Sequence, residues 1–372
     1  MRWNSRDRAI RICNDLYTNL HFSHIPPMKI ERICILGGSG FVGTHLVSQL
    51  AARGLQVRVL SHRREMAKEL ILLPTVEVVE ADVHDQQDLI QYFRGMDAVI
   101  NLVGILHEDT IGRADLPSAR RGDFQKIHIE LPRKVIHACG ESGVRRVLHM
   151  SALGANPNAR SAYQRSKGIA EALVREAGMK HSEHENWYLN GPKFIHGYDL
   201  DITIFRPSVI FGRGDSFLTL FAGMLKTFPV LPLAGAGARF APVHVEDVAR
   251  AFADSLDNPA TFGQTYNLCG PKAYTLQELV HYVGEVTGKQ RTLIPLGPFL
   301  SYLQAWALEF KPGKRLMTRD NFYAMGVDNV CSAAWPSVFD FQPAALEAIA
   351  PEYLRADSPR ARYEGYRENA RR

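Results

Sequence analysis

Residues 32–54 read RICILGGSGFVGTHLVSQLAARG. A short apolar run, residues 33–36, precedes three glycines spaced Gly37-x-x-Gly40-x-x-Gly43; Gly38, Gly40 and Gly43 also satisfy Gly-x-Gly-x-x-Gly. An apolar run this short, closed by glycine, suits a strand buried on both faces. From Phe41 the spacing is helical until Gly54. Strand, glycine turn and helix form the context in which this pattern has a physical use. A side chain would hold a pyrophosphate away from the backbone, and the helix offers its first N–H groups to phosphate oxygens. Gly37, Gly38, Ser39, Gly40, Phe41, Val42 and Gly43 are therefore candidate cofactor-binding residues.

Further strands follow at QVRVLS (56–61), VEVVEADV (76–83), DAVINLVGI (97–105), RRVLHMS (145–151) and DITIFRP (201–207). Helical stretches separate them, including 124–143 and 161–178. Strands alternating with helices predict an α/β chain with a Rossmann-type doubly wound parallel sheet and a smaller C-terminal substrate lobe. The expected organisation is a disordered extension over 1–27 and an NAD(P)-binding domain over 28–207. A substrate lobe over 208–354 returns some pieces to the main sheet, and 355–372 form a basic tail. Residues 179–200 read as a surface insertion; their His181, His184 and His196 lack the spacing of metal ligands, and no metal site is expected.

Net charge is +5, yet 1–27 hold four Arg against two Asp and 355–372 six Arg against three acids, so the body balances to zero. That excludes a nucleic-acid binder with a basic stripe on its folded body. No apolar run is long enough to span a bilayer, and the N-terminus lacks the apolar core of a secretory signal. Met28 reads as an alternative start. The five cysteines include no Cys-x-x-Cys pair, which argues against a disulfide framework or a zinc site and suits a reducing compartment.

The second strand ends at Ser61, where a carboxylate would accept a free 2′-hydroxyl. His62, Arg63 and Arg64 follow instead, and guanidinium groups attract a 2′-phosphate. NADP(H) is thus preferred, with NAD(H) as the alternative. Asp82 and Val83 follow the third strand, where adenine would lie; Leu102, Val103 and Gly104 end the fourth beside the cofactor. Tyr163 and Lys167 are four apart on one helix and face the same way. An ammonium beside a phenol favours the phenolate.

The glycine pattern, NLVG, Tyr163-x-x-x-Lys167 and FRPSVIFG together resemble the extended short-chain dehydrogenase/reductase superfamily, the epimerase/dehydratase group. HMSALGANPNARSAYQRSKGIAEALVREAG, FRPSVIFGRGDSFL and FAPVHVEDVARA are similar to an atypical branch, the NADPH-binding accessory subunit family of respiratory complex I and its bacterial relatives. The resemblance spans roughly residues 30–330. It implies Tyr163 as acid/base, Lys167 as its activator and ribose ligand, and Ser151 as the first serine of the usual pair. Ala152 then stands where the catalytic hydroxyl belongs, and His128 replaces the helix asparagine, either as a donor or as a packed core residue. Pro207 and Ser208 would line the cleft.

Two functions follow from the resemblance: an oxidoreductase, epimerase or dehydratase acting on a small-molecule substrate, or a weakly catalytic or non-catalytic accessory protein of complex I or of quinone (ubiquinone) biosynthesis. The location implied is cytoplasmic, or peripheral on the inner face of a membrane, with a respiratory complex as partner and no nucleic acid. Arg213 and Asp215 read as ligand readers or as an ion pair between lobes. The apolar stripe of 298–310, followed by Lys311, Lys314 and Arg315, reads as packing against the second lobe, with membrane docking the alternative.

Overall fold

The structure, a computed structural model, describes residues 29–108, 123–178, 198–310 and 316–355. The expectations for 1–27, for the histidines of the 179–200 insertion and for the basic tail beyond Arg355 lie outside these residues.

The strands are β1 (Arg32–Leu36), β2 (Gln56–Ser61), β3 (Val76–Glu80), β4 (Ala98–Asn101), β5 (Arg146–Met150), β6 (Asp201–Pro207), β7 (Ile210–Phe211), β8 (Val230–Leu233), β9 (Arg239–Phe240), β10 (Val243–His244), β11 (Thr265–Leu268), β12 (Tyr274–Thr275) and β13 (Thr292–Pro295). The helices are α1 (Phe41–Ala52), α2 (Gln86–Phe93), α3 (Leu131–Ser142), α4 (Ala162–Ala177), α5 (Leu218–Thr227), α6 (Val245–Ser255), α7 (Leu276–Val286), α8 (Pro298–Glu309), α9 (Arg319–Ala324) and α10 (Leu346–Leu354).

Seven strands pair in the order β11-β6-β5-β4-β1-β2-β3, every pair parallel. This is the expected doubly wound sheet, with β11 arriving from late in the chain to extend it. The strand residues sort by parity, as a sheet covered on both faces requires. Ile33 and Ile35 of β1 enter a core with Leu46 and Leu50 of α1 and Phe252 of α6. Cys34 and Leu36 enter the opposite core with Phe93 of α2, Ile136 and Cys139 of α3 and Val174 of α4. A third core, with Leu218, Phe221 and Leu225 of α5, Leu279 and Val283 of α7 and Leu346 of α10, builds the smaller lobe.

The strand order reverses between β1 and β4, so β1 has neighbours on each side with different crossovers. Loops leaving the two strands part there and open a crevice at the carboxyl edge.

Four details depart from expectation. Residues 124–130 form a π-helical run ahead of α3, closed by Leu131 N–H reaching back five residues to Lys126 O. Pro132 has no N–H to offer the His128 carbonyl, so regular α-helical bonding cannot continue through it. Second, Cys269 and Cys331 form a disulfide across 62 residues, where none was expected. Spacing gave no hint, because the pairing is tertiary: Ala241 accepts Gly270 N–H at 3.1 Å and donates to Asn329 O at 3.0 Å, drawing both segments to the link between β9 and β10. Third, the large apolar residues of α8 face solvent instead of packing on the lobe. Fourth, Asp215 is buried with its carboxylate engaged inside the smaller lobe. It ties its own turn, accepting Gly212 N–H (3.2 Å), Thr219 N–H (3.1 Å) and the Tyr353 hydroxyl (2.6 Å).

Candidate functional site

The crevice begins at the glycine turn. Gly37 has φ +80°, and a Cβ on it would lie 3.2 Å from the Leu102 carbonyl carbon and Val103 N. A Cβ on Gly43 would lie 2.3 Å from Gly37 O and 2.6 Å from the Gly38 Cα, closer than any side chain tolerates. The glycines thus let helix, turn and the 102–103 segment close on one another. Gly40 N-caps α1 without a side-chain hydrogen bond, and the first turn holds no acid. In contrast, Asp85 caps α2 and Ser161 caps α4. The first N–H groups of a helix have no carbonyl within it to bond. At α1 they are left for an anion, with the helix dipole behind them. The backbone at 37–43 therefore fits a dinucleotide pyrophosphate.

Around this turn, Ser61 is buried and its hydroxyl donates to Arg63 O at 2.9 Å. His62, Arg63 and Arg64 are exposed just beyond β2. Asp82 accepts His84 N–H at 2.9 Å, shaping the turn after β3, and Val83 packs on the second core. Asn101 accepts Val103 N–H at 3.1 Å and meets the His149 ring at 3.4 Å, tying the ends of β4 and β5 together.

Tyr163 lies in the first turn of α4 and Lys167 one turn on. Lys167 is buried, and its Nζ donates to Met150 O at 3.2 Å. A Cβ on Gly104 would sit 3.1 Å from that Nζ, so the end of β4, Lys167 and α4 converge. Burial pushes the Tyr163 phenol up to about 12 and the Lys167 ammonium down to about 8. The expected lowering of the phenol is absent: burial raises it, and the ammonium donates to the Met150 carbonyl. Phe124 stacks on His128 (5.2 Å between ring centres), and both meet the Tyr163 ring edge-on at 6.1 and 5.6 Å. The phenol is thus walled by aromatics.

His128 is a packed residue with both ring nitrogens committed. Nε2 accepts Ile105 N–H at 3.1 Å, which leaves the proton on Nδ1 to donate to Ser166 Oγ at 2.9 Å. Ser166 in turn donates to Tyr163 O at 2.9 Å. Burial, then the Lys167 charge and the neighbouring His149 ring, push the imidazole down to about 2, so it is neutral. It cannot donate to a substrate; it joins the loop after β4 to the tyrosine helix.

Ser151 also differs from its inferred role. Its hydroxyl donates to Glu171 Oε2 at 2.9 Å, and Glu171 is held by Arg206 at 2.8 and 2.5 Å and by Arg175 at 2.6 Å. Desolvation opposes ionisation of Glu171, yet Arg206 and the other donors outweigh it and its pKa falls. The serine belongs to this ion cluster around the buried Glu171. Ala152 beside it has no hydroxyl. Pro207 is buried at the end of β6, and the Ser208 hydroxyl donates to Asn329 Oδ1 at 2.6 Å.

The residues that sequence reasoning missed come from the C-terminal segment. Asp320 of α9 caps α4 from outside, accepting from the Ser161 hydroxyl (2.9 Å), Ala162 N–H (2.5 Å) and Tyr163 N–H (3.2 Å). Asn329 also binds Val209 N–H (3.1 Å) and Leu153 O (3.3 Å), clasping the loops after β5 and β6. The helix-start pattern at 318–321, a capping box, was a readable signal for α9. Nothing local marks Asn329.

A doubly wound parallel sheet, a glycine turn at its switch point and a Tyr-x-x-x-Lys helix leading into the crevice define a Rossmann-type protein of the short-chain dehydrogenase/reductase class. The chain belongs, within that class, to the NAD dependent epimerase/dehydratase family, which matches residues 33–269. It is 28% identical over 362 residues to the rat mitochondrial protein named NADH dehydrogenase [ubiquinone] 1 alpha subcomplex subunit 9, covering 92% of this chain and 86% of that one. It is 28% identical over 276 residues to ceramide reductase of Caulobacter vibrioides, covering 74% and 76%. A nucleoside-diphosphate-sugar epimerase structure from Staphylococcus aureus shares the fold, with TM-score 0.61 and 18% identity over 85% of this chain and 98% of that one.

Proposed function

We propose that this chain binds NADP(H) in the crevice at the β1/β4 switch point and is an oxidoreductase-type protein whose acid/base group is Tyr163. The observation that carries it is the uncapped start of α1 behind a Gly43 with no room for a Cβ. Residues 37–43 would hold the pyrophosphate and Arg63 and Arg64 a 2′-phosphate. Asp82 and Val83 would border the adenine, residues 102–104 and 207–208 the nicotinamide side, and Lys167 the ribose. A nicotinamide cofactor supplies hydride transfer when bound. Tyr163 then donates or takes the substrate proton at its phenol oxygen. Lys167, once drawn off the Met150 carbonyl, brings positive charge toward that oxygen and lowers its pKa. With Ser151 engaged by Glu171 and Ala152 lacking a hydroxyl, no side chain from this loop polarises a substrate carbonyl, so turnover is expected to be slow. Tyr163→Phe should abolish NADPH-coupled turnover with dinucleotide affinity unchanged; equal turnover in the variant would end the reading.

A second reading is favoured by the same Ser151–Glu171 bond together with the 28% identity over 92% of the chain to proteins named as NADH dehydrogenase subunits. In it the protein holds NADPH without turnover, as an accessory part of a quinone-linked respiratory assembly on the inner face of a membrane. It expects NADPH to co-purify unexchanged, and the protein to migrate with a large membrane complex on native gels. Migration only as the free chain would oppose it.

A further inference from the structure

Among the described residues no helix is long and apolar enough to cross a membrane. One helix nevertheless presents an apolar face to solvent. A surface helix normally turns its large apolar side chains inward. In α8 the buried positions are Ser301 and Ala305, four residues apart. Phe299 is 78% exposed, Leu300 51%, Leu303 46%, Trp306 43% and Phe310 64%. Two small residues seat the helix closely on the lobe, and five large ones are left without cover. The neighbouring strand pair extends the surface: Gln304 donates to Pro232 O at 3.0 Å, and Ile294, 47% exposed, lies in register with Pro232. A contiguous apolar face of this kind marks an interaction site.

Charge says what it meets. Between Pro298 and Arg319 the sequence holds one acid, Glu309, against Lys311, Lys314, Arg315 and Arg319. Glu309 is paired with Arg319 at 2.9 Å, so the remaining charge of the stretch is positive. A two-fold contact between copies would bring these like charges together. An anionic bilayer instead accepts aromatic and aliphatic side chains at the headgroup boundary and attracts the adjoining cations.

We infer that α8 is the docking surface of this protein for an anionic lipid bilayer. The docked helix is one element from the candidate site. Tyr302 of α8 rests against Phe322 and Tyr323 of α9 (5.8 and 6.3 Å), and Asp320 of α9 holds the first turn of α4 at Tyr163. The inference stands whether or not Tyr163 turns over a substrate.

The test is sedimentation of the full chain with phosphatidylcholine vesicles, with and without phosphatidylglycerol. NADPH affinity is measured on the same preparations. The wild type should sediment with the anionic vesicles. The double variant Leu303→Glu/Trp306→Glu should lose partitioning by about tenfold or more, with NADPH affinity unchanged; both positions are exposed, so folding is preserved. Equal sedimentation of variant and wild type would overturn the inference and assign binding to the Arg-rich ends. Failure of the wild type to bind would overturn it too, and a dimer lost in the variant would then identify a second copy as the occupant. Loss of NADPH binding alone would count against the proposed function and leave the docking surface standing.

Discussion

At the residue scale, Tyr163 and Lys167 show how far a motif can be read. Their four-residue spacing puts them on one face of a helix, and the sequence supplies that. It does not say what the lysine touches. Here Nζ donates to the Met150 carbonyl, and burial leaves both groups shifted toward their neutral forms. A buried lysine whose folded pKa lies below its unfolded value binds its proton less tightly when folded. The unfolded chain then holds more protons between about pH 8 and 10.5, and stability rises with pH across that window. Relative to Lys167→Met, the cofactor-free wild type should gain stability as pH rises from 8 to 10, read from denaturant midpoints. A difference that does not change with pH would contradict this burial. His128 and Ser151 were harder to read, because both roles depend on partners 20 or more residues away: Ile105 and Ser166 for the histidine, Glu171 for the serine.

At the element scale, strands β2 and β6 were legible to the residue, because short apolar runs between helices on a fully covered sheet leave little choice. The π-helical run was not: its cause, Pro132, is visible, but its register depends on packing against Phe124, His128 and Tyr163. Nor was the face that α8 turns outward, since periodicity gives a stripe and not its direction. Helix α9 is short, yet Asp320 gives it a specific task at the start of α4, where a carboxylate meets two backbone N–H groups, a hydroxyl and the positive end of the helix dipole. Asp320→Ala should cost about 1–2 kcal/mol of unfolding free energy and reduce Tyr163-dependent turnover, with NADPH affinity little changed. Asp320→Asn should recover part of the stability. An alanine variant as stable and as active as wild type would remove this link between the lobe and the tyrosine.

At the scale of the whole molecule, buried clasps hold the late segments against the sheet. The largest is Arg146, fully buried in β5. It donates to Leu256 O, Asp201 O, Thr203 Oγ1, Ser255 O and Thr261 Oγ1 at 2.6–3.0 Å, and its guanidinium stacks 4.4 Å over the Phe262 ring. Arg146→Met would remove all five bonds and should cost about 3–5 kcal/mol; an unfolding free energy within about 1 kcal/mol of wild type would refute that role. Asn329 and the Cys269–Cys331 disulfide act on the opposite edge. Such long-range clasps leave no periodic trace, whereas the glycine turn does, since its constraint is local. Dinucleotide binding depends on that turn. It is tested most directly by equilibrium titration of the purified full chain with NADPH and with NADH, beside Gly43→Ala. Tight NADPH binding, weaker NADH binding and loss of both in Gly43→Ala is the predicted result, with circular dichroism showing the variant folded. Failure of the wild type to bind either dinucleotide, or undiminished binding by Gly43→Ala, would contradict it.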